Sequence, residues 1–152
     1  MSGNVFREIH HTALNVLDID RSVKFYTDVL GLELLFEPQE ASGEAFEKAT
    51  KIYGAKIRFT MLKVAEGSTL IELIQYLTPK AKPDEQKICD TGAPHVAFRV
   101  DNIDDAKKKL ESKGVKFNSD PVRIKEGPLK GRAFVYFPDP DGLTLELFQE
   151  LP

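Results

Sequence analysis

Two histidines and two glutamates recur at matching places in two halves of this chain, and together they could hold a divalent metal. His11-Thr12-Ala13-Leu14-Asn15-Val16 and His95-Val96-Ala97-Phe98-Arg99-Val100 both read His-x-Ala-apolar-x-Val. Each half then closes on one acid set among apolar residues, Leu70-Ile71-Glu72-Leu73-Ile74 and Leu143-Thr144-Leu145-Glu146-Leu147. Two neutral imidazoles and two carboxylates suit a first-row divalent ion and leave a coordination position open. Such an ion polarises a carbonyl and stabilises an enediolate, while a nearby carboxylate removes the proton beside that carbonyl. A lone His or Glu on a strand is ordinarily a solvated residue. A carboxylate flanked by apolar residues is costly to bury unpaired, and its appearance in both halves favours the metal.

Side chains alternate across a strand, which sorts the residues around each His. His11, Ala13 and Asn15 share one face, and His95, Ala97 and Arg99 share its counterpart. Leu14, Val16, Phe98 and Val100 form the face that packs beneath helices. Asn15 and Arg99 are therefore candidate contacts to a polar or anionic substrate, an outward salt bridge being the equal alternative for Arg99, whereas His10 is expected to point away. Lys107, Lys108, Lys109 and Lys113 read as a solvated helix face, and Phe25 and Tyr26 as helix core.

The elements that must position these residues repeat as well. In the first half, a strand over 6–16 precedes a helix capped by Asp18 or Asp20 and stopped by Gly31. Strands over 32–36, 56–64 and 69–76 follow, the last two joined by the turn Ala65-Glu66-Gly67-Ser68. The second half offers a strand over 95–100, a helix over 103–113 stopped by Gly114, and strands over 115–118, 133–137 and 143–149, the last pair joined by Asp139-Pro140-Asp141-Gly142. Each half is thus βαβββ, with modules at 5–77 and 94–150 and a linker at 78–93 rich in Pro and Lys. The stretch from His11 to His95 exceeds that from Glu72 to Glu146 by about one short insertion, which 41–54 supplies as a short helix or flap, a candidate lid.

The chain has 152 residues, a net charge of −3 and a single cysteine. That size fits one domain with a sizeable core. Lys and Arg are spread rather than clustered, so no footprint for nucleic acid or an anionic membrane is expected. Cys89 alone excludes an intrachain disulfide or a thiolate zinc cluster. Met1-Ser2-Gly3-Asn4 does not read as a secretory signal and no apolar run has spanning length, which makes a cytoplasmic protein the expectation.

The His-x-Ala-Leu-x-Val opening, the helix Ser22-Val23-Lys24-Phe25-Tyr26-Thr27-Asp28-Val29-Leu30-Gly31, the His95 strand and the ending Asp139-Pro140-Asp141-Gly142-x-x-x-Glu146-Leu147 together resemble the vicinal oxygen chelate superfamily, also called the glyoxalase, bleomycin resistance and dioxygenase superfamily. The resemblance spans essentially the whole chain as one domain, 1–152. It implies an α+β fold of two βαβββ modules forming curled mixed sheets around a metal, commonly in a homodimer. Carried over by position, His11, Glu72, His95 and Glu146 match the metal positions, with nickel, cobalt, zinc, manganese or iron as the ion. Glu146 is then the leading base and Glu72 the second.

That His-Glu-His-Glu set is similar to bacterial lactoylglutathione lyases, implying a metal-dependent lyase or isomerase acting on a small carbonyl compound or thiol conjugate. Those enzymes place an Asn shortly after the first acid to help hold glutathione, whereas this chain continues Leu73-Ile74-Gln75-Tyr76-Leu77-Thr78-Pro79. Methylmalonyl-CoA epimerases share its length and module order but often show paired histidines where this chain has Pro94-His95. A non-catalytic binder of an antibiotic or other small molecule is the alternative from another class, and the full ligand set argues against it. Three histidines are too few for the ring-cleaving dioxygenases.

Overall fold

The computed structural model describes residue 3 and residues 5–65, 67, 69–83 and 85–150. The chain divides into two compact units, Met1–Pro83 and Asp84–Pro152. Each is a mixed sheet with helix on one face.

The first unit runs β1 (His11–Asn15), α1 (Ile19–Lys24), β2 (Glu33–Leu34), β3 (Gln39–Ser42), α2 (Glu44–Thr50), β4 (Lys56–Lys63) and β5 (Leu70–Thr78). Its sheet has the order β1-β5-β4-β2, with β3 also on β4. β1 lies parallel to β5 and the other pairs are antiparallel. Asp18 starts α1 by accepting from the Arg21 N–H at 3.0 Å, an N-cap that satisfies one of the helix's free donors. Past Lys24 the helix widens to a π-turn over Phe25–Val29, the Leu30 N–H reaching the Phe25 carbonyl at 3.1 Å. Gly31 ends it at φ +82°, a conformation that costs glycine little. Tyr26, fully buried, packs in the core with Val16, Ile19, Leu62, Ile71 and Leu73. On the rim, Arg58 grips Asp20 with two hydrogen bonds of 2.8 and 3.0 Å, which hold the Asp20 carboxyl below its ordinary range.

The second unit runs β6 (His95–Val100), α3 (Ile103–Glu111), β7 (Val122–Arg123), β8 (Ala133–Pro138) and β9 (Thr144–Gln149), with sheet order β6-β9-β8-β7 and β6 parallel to β9. Asn102 caps α3 through the Asp105 N–H, as Asp18 caps α1. The core gathers Ile103, Leu110, Val135, Phe137, Leu145 and Leu147. The β8–β9 turn is held by the buried Asp139, whose carboxylate accepts from the N–H groups of Asp141 and Leu143 at 2.8 and 2.9 Å.

The βαβββ order holds in the second unit, and the first adds β3 and α2 within the 41–54 insertion and just before it. Three segments differ from expectation. Residues 6–10 carry no strand and β1 begins at His11, with the His10 carbonyl still accepting from the Leu70 N–H at 2.9 Å. The strand expected at 115–118 is reduced to one backbone bond, Asn118 N–H to the Tyr136 carbonyl at 2.9 Å, and β8 takes Val122–Arg123 as its partner instead. Lys107 is not solvated: its side chain is 14% exposed, paired with Glu111 at 2.6 Å and lying over the Phe117 ring. In the turn after β4, Glu66 and Ser68 lie outside the described residues.

Candidate metal centre

Each unit brings one expected imidazole to one expected carboxylate. In the first, His11 Nε2 stands 3.3 Å from Glu72 Oε2. In the second, His95 Nε2 stands 3.0 Å from Glu146 Oε2. The same register produces both: Ala13 lies directly opposite Glu72, and Ala97 directly opposite Glu146. The histidine two residues earlier is on the same face and leans diagonally toward the acid, over an alanine too small to block it. That is the physical content of the repeated His-x-Ala.

The two pairs differ in burial. Glu72 retains 16% of its side-chain exposure and Glu146 only 8%. Burial pushes the Glu146 carboxyl above its ordinary range, an effect the neighbouring His95 opposes. Tyr136 lies directly opposite Glu146 on β8, its ring edge-to-face with His95 at 5.5 Å between centroids. Burial, with the Glu146 charge second, pushes its phenol up.

Asn15 and Arg99 stand on the exposed face, opposite Ile74 and Phe148 respectively. Neither side chain bonds to another described residue, so both are available to a ligand. His10 departs from expectation. It precedes β1, where strict alternation does not apply, and its Nδ1 lies 2.9 Å from His11 Nδ1 with the rings edge-on. One of the two nitrogens donates and the other accepts.

Two glutamines escaped the sequence reading. Gln75 Oε1 accepts from the Ile19 N–H at 3.2 Å while its Nε2 donates to the Leu17 carbonyl at 2.9 Å. Gln149 Oε1 accepts from the Ile103 N–H at 2.9 Å. Each therefore ties an acid-bearing strand to the first turn of the helix it packs on. The signal was present as Glu-Leu-x-Gln in both halves, Glu72 to Gln75 and Glu146 to Gln149.

Within either unit, no group of three or more His, Cys, Asp or Glu among the described residues is placed to hold a metal ion. Each unit thus supplies one nitrogen and one oxygen donor, the types a borderline divalent ion takes. A cation beside Glu146 would offset the cost of keeping its charge in a desolvated place.

The family model of the glyoxalase/bleomycin resistance protein/dioxygenase superfamily matches residues 8–147. The chain belongs to this superfamily. Within the superfamily it is 34% identical to a 2-epi-5-epi-valiolone epimerase from an Actinomyces species, over 91% of this chain and 77% of that protein. It is 30% identical to a lactoylglutathione lyase from Escherichia coli O157:H7, over 92% of this chain and 90% of that one. A glyoxalase family protein from Bacillus cereus, 21% identical, superposes with a TM-score of 0.80 over 100% of this chain and 99% of its own, a likeness of fold.

Proposed function

We propose that this chain is a metal-dependent isomerase or lyase that removes a proton beside a carbonyl and returns it, in the manner of a lactoylglutathione lyase. The observation that carries the proposal is the duplicated His–Glu pair, built by identical strand register in both units. We assign His11, Glu72, His95 and Glu146 as the ligands and the whole of 1–152 as one functional domain. The protein is read as a cytoplasmic homodimer, as the family resemblance implies for assembly.

A divalent first-row ion held by these four side chains would draw electron density from the substrate carbonyl and so acidify the adjacent C–H. The remaining work falls to the chain. Glu146 accepts the proton: a desolvated carboxylate is a stronger base than a solvated one, and it is raised in the direction that suits proton transfer near neutral pH. Glu72, more exposed, is the second candidate base. His95 keeps the Glu146 carboxylate oriented. Arg99 and Asn15, free at the rim of their sheets, are positioned to meet an anionic or polar group of the substrate.

Return of the proton to the neighbouring carbon makes the enzyme a lyase of the lactoylglutathione type. Return to the same carbon from the opposite side makes it an epimerase, as on methylmalonyl-CoA, and the 34% identity to a 2-epi-5-epi-valiolone epimerase supports that second reading. Turnover of the hemithioacetal of methylglyoxal and glutathione, and of methylmalonyl-CoA, in deuterated water separates them. Deuterium at the carbon beside the original carbonyl carbon with inverted configuration identifies an epimerase, and metal-dependent thioester formation identifies the lyase. Metal-loaded protein that exchanges no proton on any carbonyl compound would reject both.

A further inference from the structure

The open faces of the two sheets carry the same arrangement of residues with one chemical difference. In the first unit the row through the acid reads Ala13, Glu72, Met61 across β1, β5 and β4. In the second it reads Ala97, Glu146, Tyr136 across β6, β9 and β8. A thioether stands where the other unit has a phenol. The Tyr136 ring meets two others edge-to-face, His95 and Phe134, each at 5.5 Å between centroids, and its place directly opposite Glu146 puts it on the face that bears the acid. It is half-buried, and among the described residues its hydroxyl has no hydrogen-bond partner.

We propose that Tyr136 is a substrate-binding residue, its phenolic O–H donating a hydrogen bond to a substrate oxygen next to the carbon that Glu146 deprotonates. The inference rests on the proton-transfer function proposed above. The phenol carries an O–H, which can donate as well as accept a hydrogen bond. A donor held in place before the substrate arrives needs no reorganisation when negative charge develops on an oxygen, which is where such bonds contribute most. Met61 cannot do this, since a thioether has no proton to donate. The row beside Glu146 in the second unit therefore offers a hydroxyl donor that the matching row of the first unit lacks.

Acetohydroxamate, a small planar molecule with two adjacent oxygens, is the probe. The full chain and Tyr136→Phe are stripped, reloaded with cobalt, and titrated while the cobalt absorption band is followed. Tyr136→Phe keeps the ring contacts and should retain the same cobalt stoichiometry and melting temperature, yet bind acetohydroxamate about tenfold or more weakly, the loss expected for one hydrogen bond to a charged oxygen. Equal affinity in the two proteins would overturn the role of Tyr136 and leave the metal-dependent function standing. Cobalt-loaded wild-type protein that does not respond to acetohydroxamate would overturn both. A Tyr136→Phe protein that loses its cobalt would also overturn the proposal, because the residue would then serve the metal pair and not the ligand.

Discussion

Glu146 and His95 touch each other, yet replacing them should produce different failures. Glu146→Gln keeps an oxygen donor and the shape of the side chain, so it should hold much of the metal while proton exchange drops by about 10²-fold or more, the usual contribution of a positioned base. His95→Ala removes a nitrogen donor and should lose metal and activity together; elemental analysis beside a deuterium-exchange assay distinguishes the two. Equal activity in either variant would remove these residues from the mechanism. The same glutamate sets a pH dependence in the metal-free protein. Its folded pKa lies above its unfolded one, so the folded state holds the proton more tightly, and this contribution to stability fades as pH rises through the carboxylate range. Melting curves of metal-free wild type should therefore lose ground to Glu146→Gln with rising pH, and parallel curves would contradict it. The two His–Glu pairs were legible in the sequence because a repeat compares each residue with a counterpart. Tyr136 was not, since Met61 is its counterpart and only the β8–β9 register brings it to Glu146.

At the scale of elements, the strand-to-helix ties explain how each acid-bearing strand stays in register with its helix. Gln149→Leu leaves the Ile103 N–H without its acceptor and should lower stability by about 1–3 kcal/mol, the cost of stranding a buried donor, as read by denaturant titration. A loss under 0.5 kcal/mol would show that solvent replaces the glutamine. The edges and ends of elements were where sequence reading fell short. Residues 5–10 continue the apolar pattern of β1 through Val5, Phe6 and Ile9, but those side chains are 69–86% exposed and form no part of the core. At 115–118 the apolar spacing of Val115 and Phe117 is real, yet it serves core packing beside β8 without a ladder. The insertion is the reverse case: its helix was expected, whereas β3 is short, polar and held by pairing to β4, which composition does not reveal. Since α2 buries none of its residues, removing 44–50 should leave the fold intact and raise KM several-fold if the segment covers the substrate. Unchanged kinetics would reject a lid.

For the whole molecule, duplication places the same pair in each unit: two copies of one sheet register each yield a nitrogen and an oxygen donor. Membership of the superfamily follows from a match over 8–147, and the fold class was legible because the βαβββ order repeats in the hydrophobic pattern itself. What the pattern does not encode is the substrate; the residues proposed to meet it, Arg99, Asn15 and Tyr136, are a few face positions outside the hydrophobic repeat. The most direct test of the central claim is metal stoichiometry by elemental analysis of the stripped and reconstituted full chain, read together with metal-dependent proton exchange on the hemithioacetal of methylglyoxal and glutathione and on methylmalonyl-CoA. One first-row divalent ion per chain, lost in His95→Ala and required for exchange, is the expected result. A wild-type chain that takes up no metal after reconstitution, while still binding small molecules, would contradict the claim and make this a binding protein.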